Sequence, residues 1–228
     1  MNAVELSLAD AISLSTLSEL PQTLLDRLLI GAICVDVPAG GTIYRADEQP
    51  RWALVVAGLA RIYLSAPMGK EVTVRYGRRG DLLGIAAVVG GPAPVSVEMV
   101  TDVTALFFNA SILTAMAHAE PAVGWFVARE VTQQLYGTLE VLAHQTFGSL
   151  RQRIARHLLD LAACQTQGGR LVAPVTQQRL ADAVGSVRPA VARIVAQLRN
   201  EGLIETIPGG VLVLDGGRLF EEAFSGDQ

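Results

Sequence analysis

The sequence predicts an α+β chain: a β-rich first half leads through one long helix into a helical last third that closes on a hairpin. Three observations predict it. Between Ile33 and Phe108, short β-branched runs alternate with turn residues. From Pro121 to His144, no further proline interrupts an apolar repeat at steps of three and four. Between Thr176 and Asn200, two short helical patterns flank a glycine. Strands this short and this regularly punctuated indicate a sandwich or small barrel.

Residues 11–30 read as one or two helices, with Leu14, Leu17, Leu20, Leu24, Leu25, Leu28 and Leu29 at helical spacings around Pro21. Strand-like runs follow at 33–37, 42–44, 52–56, 60–65, 71–76, 95–101 and 103–108. Turns at 38–41, 67–69, 80–81 and 90–92 separate them. A short helix runs from Ser111 to about Ala119. Pro121 then suits the first turn of a new helix, where its missing N–H costs nothing. That helix extends to about His144, and Val123, Val127, Val131, Leu135, Thr138 and Leu142 form one apolar seam along it. The seam fits the β-rich part, a twin helix, or both. Gly148 permits a bend and Ser149 can cap the next helix, from Leu150 to about Cys164, with Leu150, Ile154, Leu158 and Leu161 inward. Residues 165–169 read as a polar loop. These breaks divide the chain into 1–120, 121–147 and 148–228.

Composition bounds the function. The chain has 228 residues, half of them hydrophobic and 18% charged, which supports a buried core in one large domain or two small ones. The longest charge-free runs, 82–97 and 103–119, fall short of the roughly 20 apolar residues of a membrane span, and the first carries Gly90, Gly91, Pro92 and Pro94. No basic start with an apolar run and a small-residue cleavage site opens the chain. The expectation is a soluble cytoplasmic protein with no membrane partner. Cys34 and Cys164 cannot form a disulfide framework or a four-thiolate cluster, and His118, His144 and His157 are too scattered for a zinc site, so no metal is expected.

Charge is uneven. Residues 1–148 carry 9 Lys and Arg against 14 Asp and Glu, whereas residues 151–200 carry eight arginines against only Asp160 and Asp182. Such asymmetry suggests that one part of the chain meets a polyanion.

The same basic segment holds the most informative pattern. Thr176 is a good N-cap for a helix over 177–184, with Leu180, Ala181 and Val184 inward. Gly185 closes that helix where a left-handed residue is wanted. Ser186 reads as the cap of a second helix over 187–200, with Val191, Ile194, Val195 and Leu198 inward, and Gly202 ends it. Two short helices around a glycine turn form a helix-turn-helix, and 203–214 reads as a β-hairpin, or wing, turning at Pro208. In this motif the second helix enters the major groove of double-stranded DNA with its N-terminal residues at base edges. Arg188 and Arg193 face outward there, and an arginine fork fits guanine O6 and N7. Ser186 and the first-turn N–H groups suit a phosphate. Arg179 and Arg199 suit the DNA backbone, and Thr176, Gln177, Val187 and Pro189 complete the candidate set.

These residues resemble the cAMP receptor protein/FNR (Crp/Fnr) family of bacterial transcription regulators over about residues 14–215. Gly69-Lys-Glu71, Tyr76 and Gly80-Asp-Leu-Leu-Gly84 repeat its β-roll signature. Arg153-Ile-Ala155, Leu158-Leu159 and Leu161-Ala162 are similar to the first helix of its DNA-binding domain. Val184-Gly-Ser-Val-Arg188 and Val191-Ala-Arg193-Ile194 are similar to its recognition segment. The resemblance implies a cyclic-nucleotide-binding-like β-roll sensor, a homodimer joined along 121–144, a winged helix-turn-helix, and RNA polymerase as a further partner if the protein activates.

The departures are specific. In cAMP-binding members the last glycine, here Gly84, is followed by a glutamate that takes the ribose hydroxyl; Ile85 stands there. Val95 stands where an arginine grips the cyclic phosphate, with Ser96 at the hydroxyl position. A Thr–Ser pair on the dimer helix becomes Thr138-Leu139. Removing one partner from a buried charge pair costs about 3–5 kcal/mol. The expectation is therefore loss of ordinary cAMP binding, unless Arg75, Arg78 or Arg79 points inward, and an apolar pocket that is filled or holds another effector. Pro189 replaces the glutamate that accepts from cytosine in many members, so the site read should differ from the usual TGTGA-type half-site.

Rival readings are weaker. No cysteine precedes Cys34, which argues against an FNR-type cluster, and no histidine precedes His118, which argues against haem in the roll. A thiol switch at Cys34 or Cys164, another small-molecule signal, or a nucleotide-like module acting on a protein partner remain as alternatives. No nucleophile elbow, phosphate loop, H-E-x-x-H or paired C-x-x-C marks an enzyme. His157, on a helix among arginines, reads as exposed surface.

Overall fold

The computed structural model describes residues 3–46, 48–49, 51–65, 71–162, 166–167 and 170–224. Gly69 and Lys70 of the β-roll signature, Cys164, and most of the expected 165–169 loop lie outside the described residues. The chain divides into two compact units: Met1–Tyr63 with Gly77–Thr138, and Leu64–Tyr76 with Leu139–Gln228.

The first unit opens on α1 (Ala3–Leu14), a 3-10 turn (Thr16–Glu19) and α2 (Gln22–Leu28). The helix starts earlier than the leucine spacing predicts and breaks at Ser15, whose hydroxyl accepts from the Leu17 amide at 3.2 Å. The strands over 33–108 are β1 (Ile33–Val37), β2 (Thr42–Tyr44), β3 (Trp52–Ala57), β4 (Ala60–Ser65), β5 (Glu71–Gly77), β6 (Leu82–Leu83), β7 (Ser96–Met99) and β8 (Val103–Phe108), with α3 (Ile85–Gly90) between β6 and β7; the end of β4 and β5 up to Tyr76 belong to the second unit. Two four-stranded sheets result, in the orders β1-β8-β3-β6 and β2-β7-β4-β5. Antiparallel registers such as Ile33↔Phe107 and Trp52↔Phe108 fix which side chains face inward.

On β3 and β8 that alternation delivers Trp52, Leu54, Val56, Leu106 and Phe108 to one core cluster with Leu17, Leu28 and the next two helices. These are α4 (Ala110–Ala119) and α5 (Pro121–Phe147). Asn109 caps α4, accepting from the amides of Ser111 and Ile112 at 2.9 and 3.4 Å.

The single apolar seam expected on α5 is in fact two stripes. Val123 and Val127 are buried, and Val131 packs against the same core. Leu135 and Leu142 are exposed, as are Trp125 and Leu139. Steps of four residues overshoot a helical turn by about 40°, so a row of them drifts from one face to the other. Glu130, buried on the core side of α5, is satisfied by the Thr16 hydroxyl and the Gln134 amide, each at 2.7 Å.

The second unit contains α6 (Leu150–Ala162), β9 (Thr166–Gln167), β10 (Arg170–Ala173), α7 (Gln177–Ala183), α8 (Arg188–Asn200), β11 (Ile204–Ile207), β12 (Gly210–Val213) and α9 (Gly216–Phe224). Ser149 and Gln152 form a capping box at the start of α6. The Ser149 amide donates to Gln152 Oε1 at 2.6 Å, and the Gln152 amide donates to Ser149 Oγ at 3.2 Å. Ile154, Leu158 and Leu161 are buried as expected. The hairpin β11–β12 is not isolated. It extends through β10 and β9 into a four-stranded sheet, order β11-β12-β10-β9. The pairing of Thr166 and Gln167 corrects the all-loop reading of 165–169. Helix α9, not among the expected elements, packs on α6 with Leu219 and Ala223 buried.

Candidate nucleic-acid interface

Helix α7 begins at Thr176, whose Oγ1 accepts from the Arg179 amide at 3.2 Å. It ends in a paired closure. Gly185, at φ +65°, donates to Asp182 O at 3.2 Å, and Ser186 donates to Ala181 O at 2.9 Å. This is the Schellman arrangement, which needs a left-handed residue at Gly185. It also corrects the expected role of Ser186. Its amide closes the helix behind it, and the N-cap of α8 falls to Val187, which makes no side-chain cap bond.

The start of α8 is a weaker anion site than the sequence suggests. Pro189 in the first turn has no N–H, and the Ala190 amide is directed at Val187 O at 3.1 Å. What the turn presents instead is a mixed surface. Val187, Arg188, Pro189 and Arg193 are all exposed, while Val191, Val195 and Leu198 are buried beneath them. At about 100° per residue, Pro189, Arg193 and Asn200 form one outward ridge, and Arg188 and Arg199 flank it. Asn200 and the exposed Gln197 join the face as additions to the expected residues, and the same spacing points to them. Gln177 is half-buried and Arg179 exposed on α7.

Several arginines of the basic segment have inward tasks. Arg151 donates to Glu222 at 2.5 Å and bridges both oxygens of Glu201 at 2.5 and 3.0 Å. Those two carboxylates raise the Arg151 pKa further, and the hydrogen bonds from Arg151 hold Glu201 below the usual carboxylate range. Arg153 donates to Val184 O at 2.9 Å, bracing the end of α7. Arg156 lies 3.5 Å from Glu140 and 4.0 Å from Asp160. His157 is buried, not exposed, with Nε2 2.6 Å from the Tyr76 hydroxyl. Among the described side chains of this segment, Arg179, Arg188, Arg193 and Arg199 are the exposed arginines.

Gly84 caps α3 at φ +79°, where an added Cβ would lie 1.8 Å from Arg51 O. Ile85 next to it has no exposed surface and belongs to the core cluster rather than to an open wall. Val95 and Ser96 are half-buried, and the Ser96 hydroxyl accepts from the Ala46 amide at 3.2 Å. Thr138 Oγ1 donates back to Gln134 O at 2.8 Å, and Leu139 is exposed. Arg79 Nε donates to Val56 O at 3.0 Å. The Cys34 thiol is pushed up by partial burial and by the charge of Asp36, the reverse of a reactive thiolate. No group of three or more metal-binding side chains, and no helix long and apolar enough to cross a membrane, occurs among the described residues.

Residues 34–120 match the family described as cyclic nucleotide-binding domain, and residues 152–221 match the Crp-like helix-turn-helix domain. The chain is similar to the transcriptional regulator LdrP of Thermus thermophilus, 33% identical over 190 residues, covering 81% of this chain and 93% of the relative. It is also similar to the CRP-like cAMP-activated global transcriptional regulator of Mycobacterium tuberculosis, 29% identical over 83% of this chain and 87% of the relative. Among solved structures, a CRP/FNR-family transcriptional regulator from Thermus thermophilus superposes with a TM-score of 0.72 at 28% identity. It covers 85% of this chain and 99% of its own.

Proposed function

Because this chain belongs to the Crp/Fnr family of DNA-binding transcriptional regulators, we propose that it acts as a homodimer reading a palindromic double-stranded DNA site, and that ordinary cAMP binding does not control it. On this reading residues 1–120 are the sensor, 121–147 the dimer helix and hinge, and 148–228 the DNA-binding domain. RNA polymerase is a further partner if the protein activates.

The observation that carries the reading is the exposed ridge of α8, with Arg193 at its centre and Arg188 and Arg199 beside it, above a buried apolar face. An arginine fork placed there meets guanine edges, and its neighbours meet phosphates. The dimer reading is supported by the second stripe of α5. Trp125, Ala128, Thr132, Leu135, Leu139 and Leu142 alternate at steps of three and four, and all are exposed in the single chain. That is a heptad seam without a partner. Two-fold symmetry then sets half-site centres about 34 Å apart.

The reading on cAMP is supported by the absence of a charge at Val95 and the burial of Ile85. Calorimetry giving a micromolar cAMP constant overturns it. The test of the whole is enrichment of random double-stranded DNA by the purified full chain without added ligand. A palindromic motif supports the reading. No binding at low salt overturns it.

A further inference from the structure

Beside the exposed Arg188, the start of α8 carries two exposed apolar side chains where a groove-reading helix would ordinarily carry hydrogen-bonding groups. Val187 is 64% exposed at the N-cap and makes no cap bond. Pro189 is exposed in the first turn, one helical step before Arg193 on the same ridge. Neither side chain can donate or accept a hydrogen bond, and neither joins the core. In the major groove only one base-pair feature is apolar, the C5-methyl group of thymine.

We infer that Pro189, with Val187 beside it, reads a thymine methyl adjacent to the base contacted by Arg193. This rests on the DNA-binding reading above and adds the base that the apolar tip selects. A cytosine at that position has a hydrogen on C5 and an amino donor that meets no acceptor, so it is disfavoured twice. Burying one methyl group corresponds to about a fourfold preference.

The test isolates the methyl. Once enrichment gives the preferred half-site, each thymine is replaced in turn by deoxyuridine, which lacks only that group. Affinity of the full chain is then measured by fluorescence anisotropy at fixed salt. Deoxyuridine should weaken binding about three- to fivefold at one position beside the guanine, and within about twofold elsewhere. Pro189→Glu should abolish the thymine–uracil difference there and shift the preference to cytosine, whose amino group the carboxylate accepts. An acidic residue is favourable in a first helical turn, so this variant should fold. Val187→Ser should reduce the difference while supplying the missing cap. Tolerance of deoxyuridine at every position with binding intact overturns this inference and leaves the DNA reading standing, as does an unchanged difference in Pro189→Glu. Absence of any DNA binding overturns both.

Discussion

The hydroxyl of Tyr76 and Nε2 of His157 lie 2.6 Å apart, joining the end of β5 to the buried side of α6 within one compact unit. Their rings are tilted, with centroids 5.3 Å apart. His157 is 8% exposed, so water cannot readily replace a missing partner. Tyr76→Phe should cost about 1–2 kcal/mol of stability, read as a lower midpoint in chemical denaturation with an unchanged slope. No change in midpoint would show that the pair carries no net energy.

The caps of the helix-turn-helix should behave oppositely. Thr176→Ala removes the acceptor for the Arg179 amide and should cost about 1 kcal/mol. Val187→Ser provides a hydroxyl where α8 has none and should gain about 0.5–1 kcal/mol. Paired thermal melts of the two variants check the signs. A destabilised Val187→Ser would mean that the exposed valine has a packing role unseen in the single chain.

If two copies of the chain pair along α5 as proposed, charges placed on its exposed stripe should keep them apart. Leu135→Lys combined with Leu139→Lys is expected to give a monomer by light scattering at micromolar concentration, with far-ultraviolet dichroism unchanged, because both side chains lie off the core. An equivalent charge at Val127 should unfold the protein instead, because Val127 is in the core cluster. A dimer that persists in the double variant places the interface elsewhere.

The arginines of α8 should divide by role. Arg193→Ala should cost about 1–3 kcal/mol and relax preference at one position of each half-site. Arg199→Ala should weaken binding to all sequences alike and reduce the salt slope by about one for each phosphate no longer neutralised. Affinities for a panel of single-base variants at two salt concentrations distinguish the two behaviours. Equal weakening on every sequence from Arg193→Ala would remove it from base reading.

Acid should erase one stabilising interaction. The folded chain holds the Glu201 pKa below its ordinary value of about 4.3, chiefly through hydrogen bonds from Arg151. A depressed carboxylate contributes stability that is fully present above the unfolded value and disappears as pH falls through the folded one. The pair is partly exposed, so Glu201→Gln should cost only about 0.5 kcal/mol at pH 7. That gap should begin to narrow as pH falls below the unfolded value of about 4.3. Melting curves of both proteins at pH 7 and pH 3.5 supply the comparison, and a gap of equal size at both values removes the charge from the account.

Much of the candidate site is legible in the sequence because it rests on local rules. Thr176 and Gly185 announce a cap and a left-handed closure by residue type alone, and both are found as expected. The exposure of Arg188, Arg193 and Arg199 follows from one helical period. Ser186 is ambiguous because serine suits either end of a turn, and only the bond from its amide to Ala181 O shows which helix claims it. Helix α9 does leave a trace, because Leu219 and Ala223 lie one turn apart and Asp215 caps the helix by accepting from the Arg218 amide at 3.0 Å, but Gly216-Gly217 at its start reads as a turn.

By itself the sequence determined the β-rich stretch over 33–108, the long helix that starts at Pro121, the left-handed turn at Gly185, the helix-turn-helix and the missing charge at Ile85 and Val95. These depend on near neighbours in the chain, where spacing and residue type act directly. Tertiary structure alone decided which stripe of α5 is buried, which arginines of the basic segment remain outward, and that His157 is enclosed against Tyr76. Those outcomes depend on partners far away in the chain. Glu222 is 71 residues from Arg151, and Tyr76 is 81 from His157. No periodicity records such pairs, because only packing of the whole unit brings them within hydrogen-bonding distance.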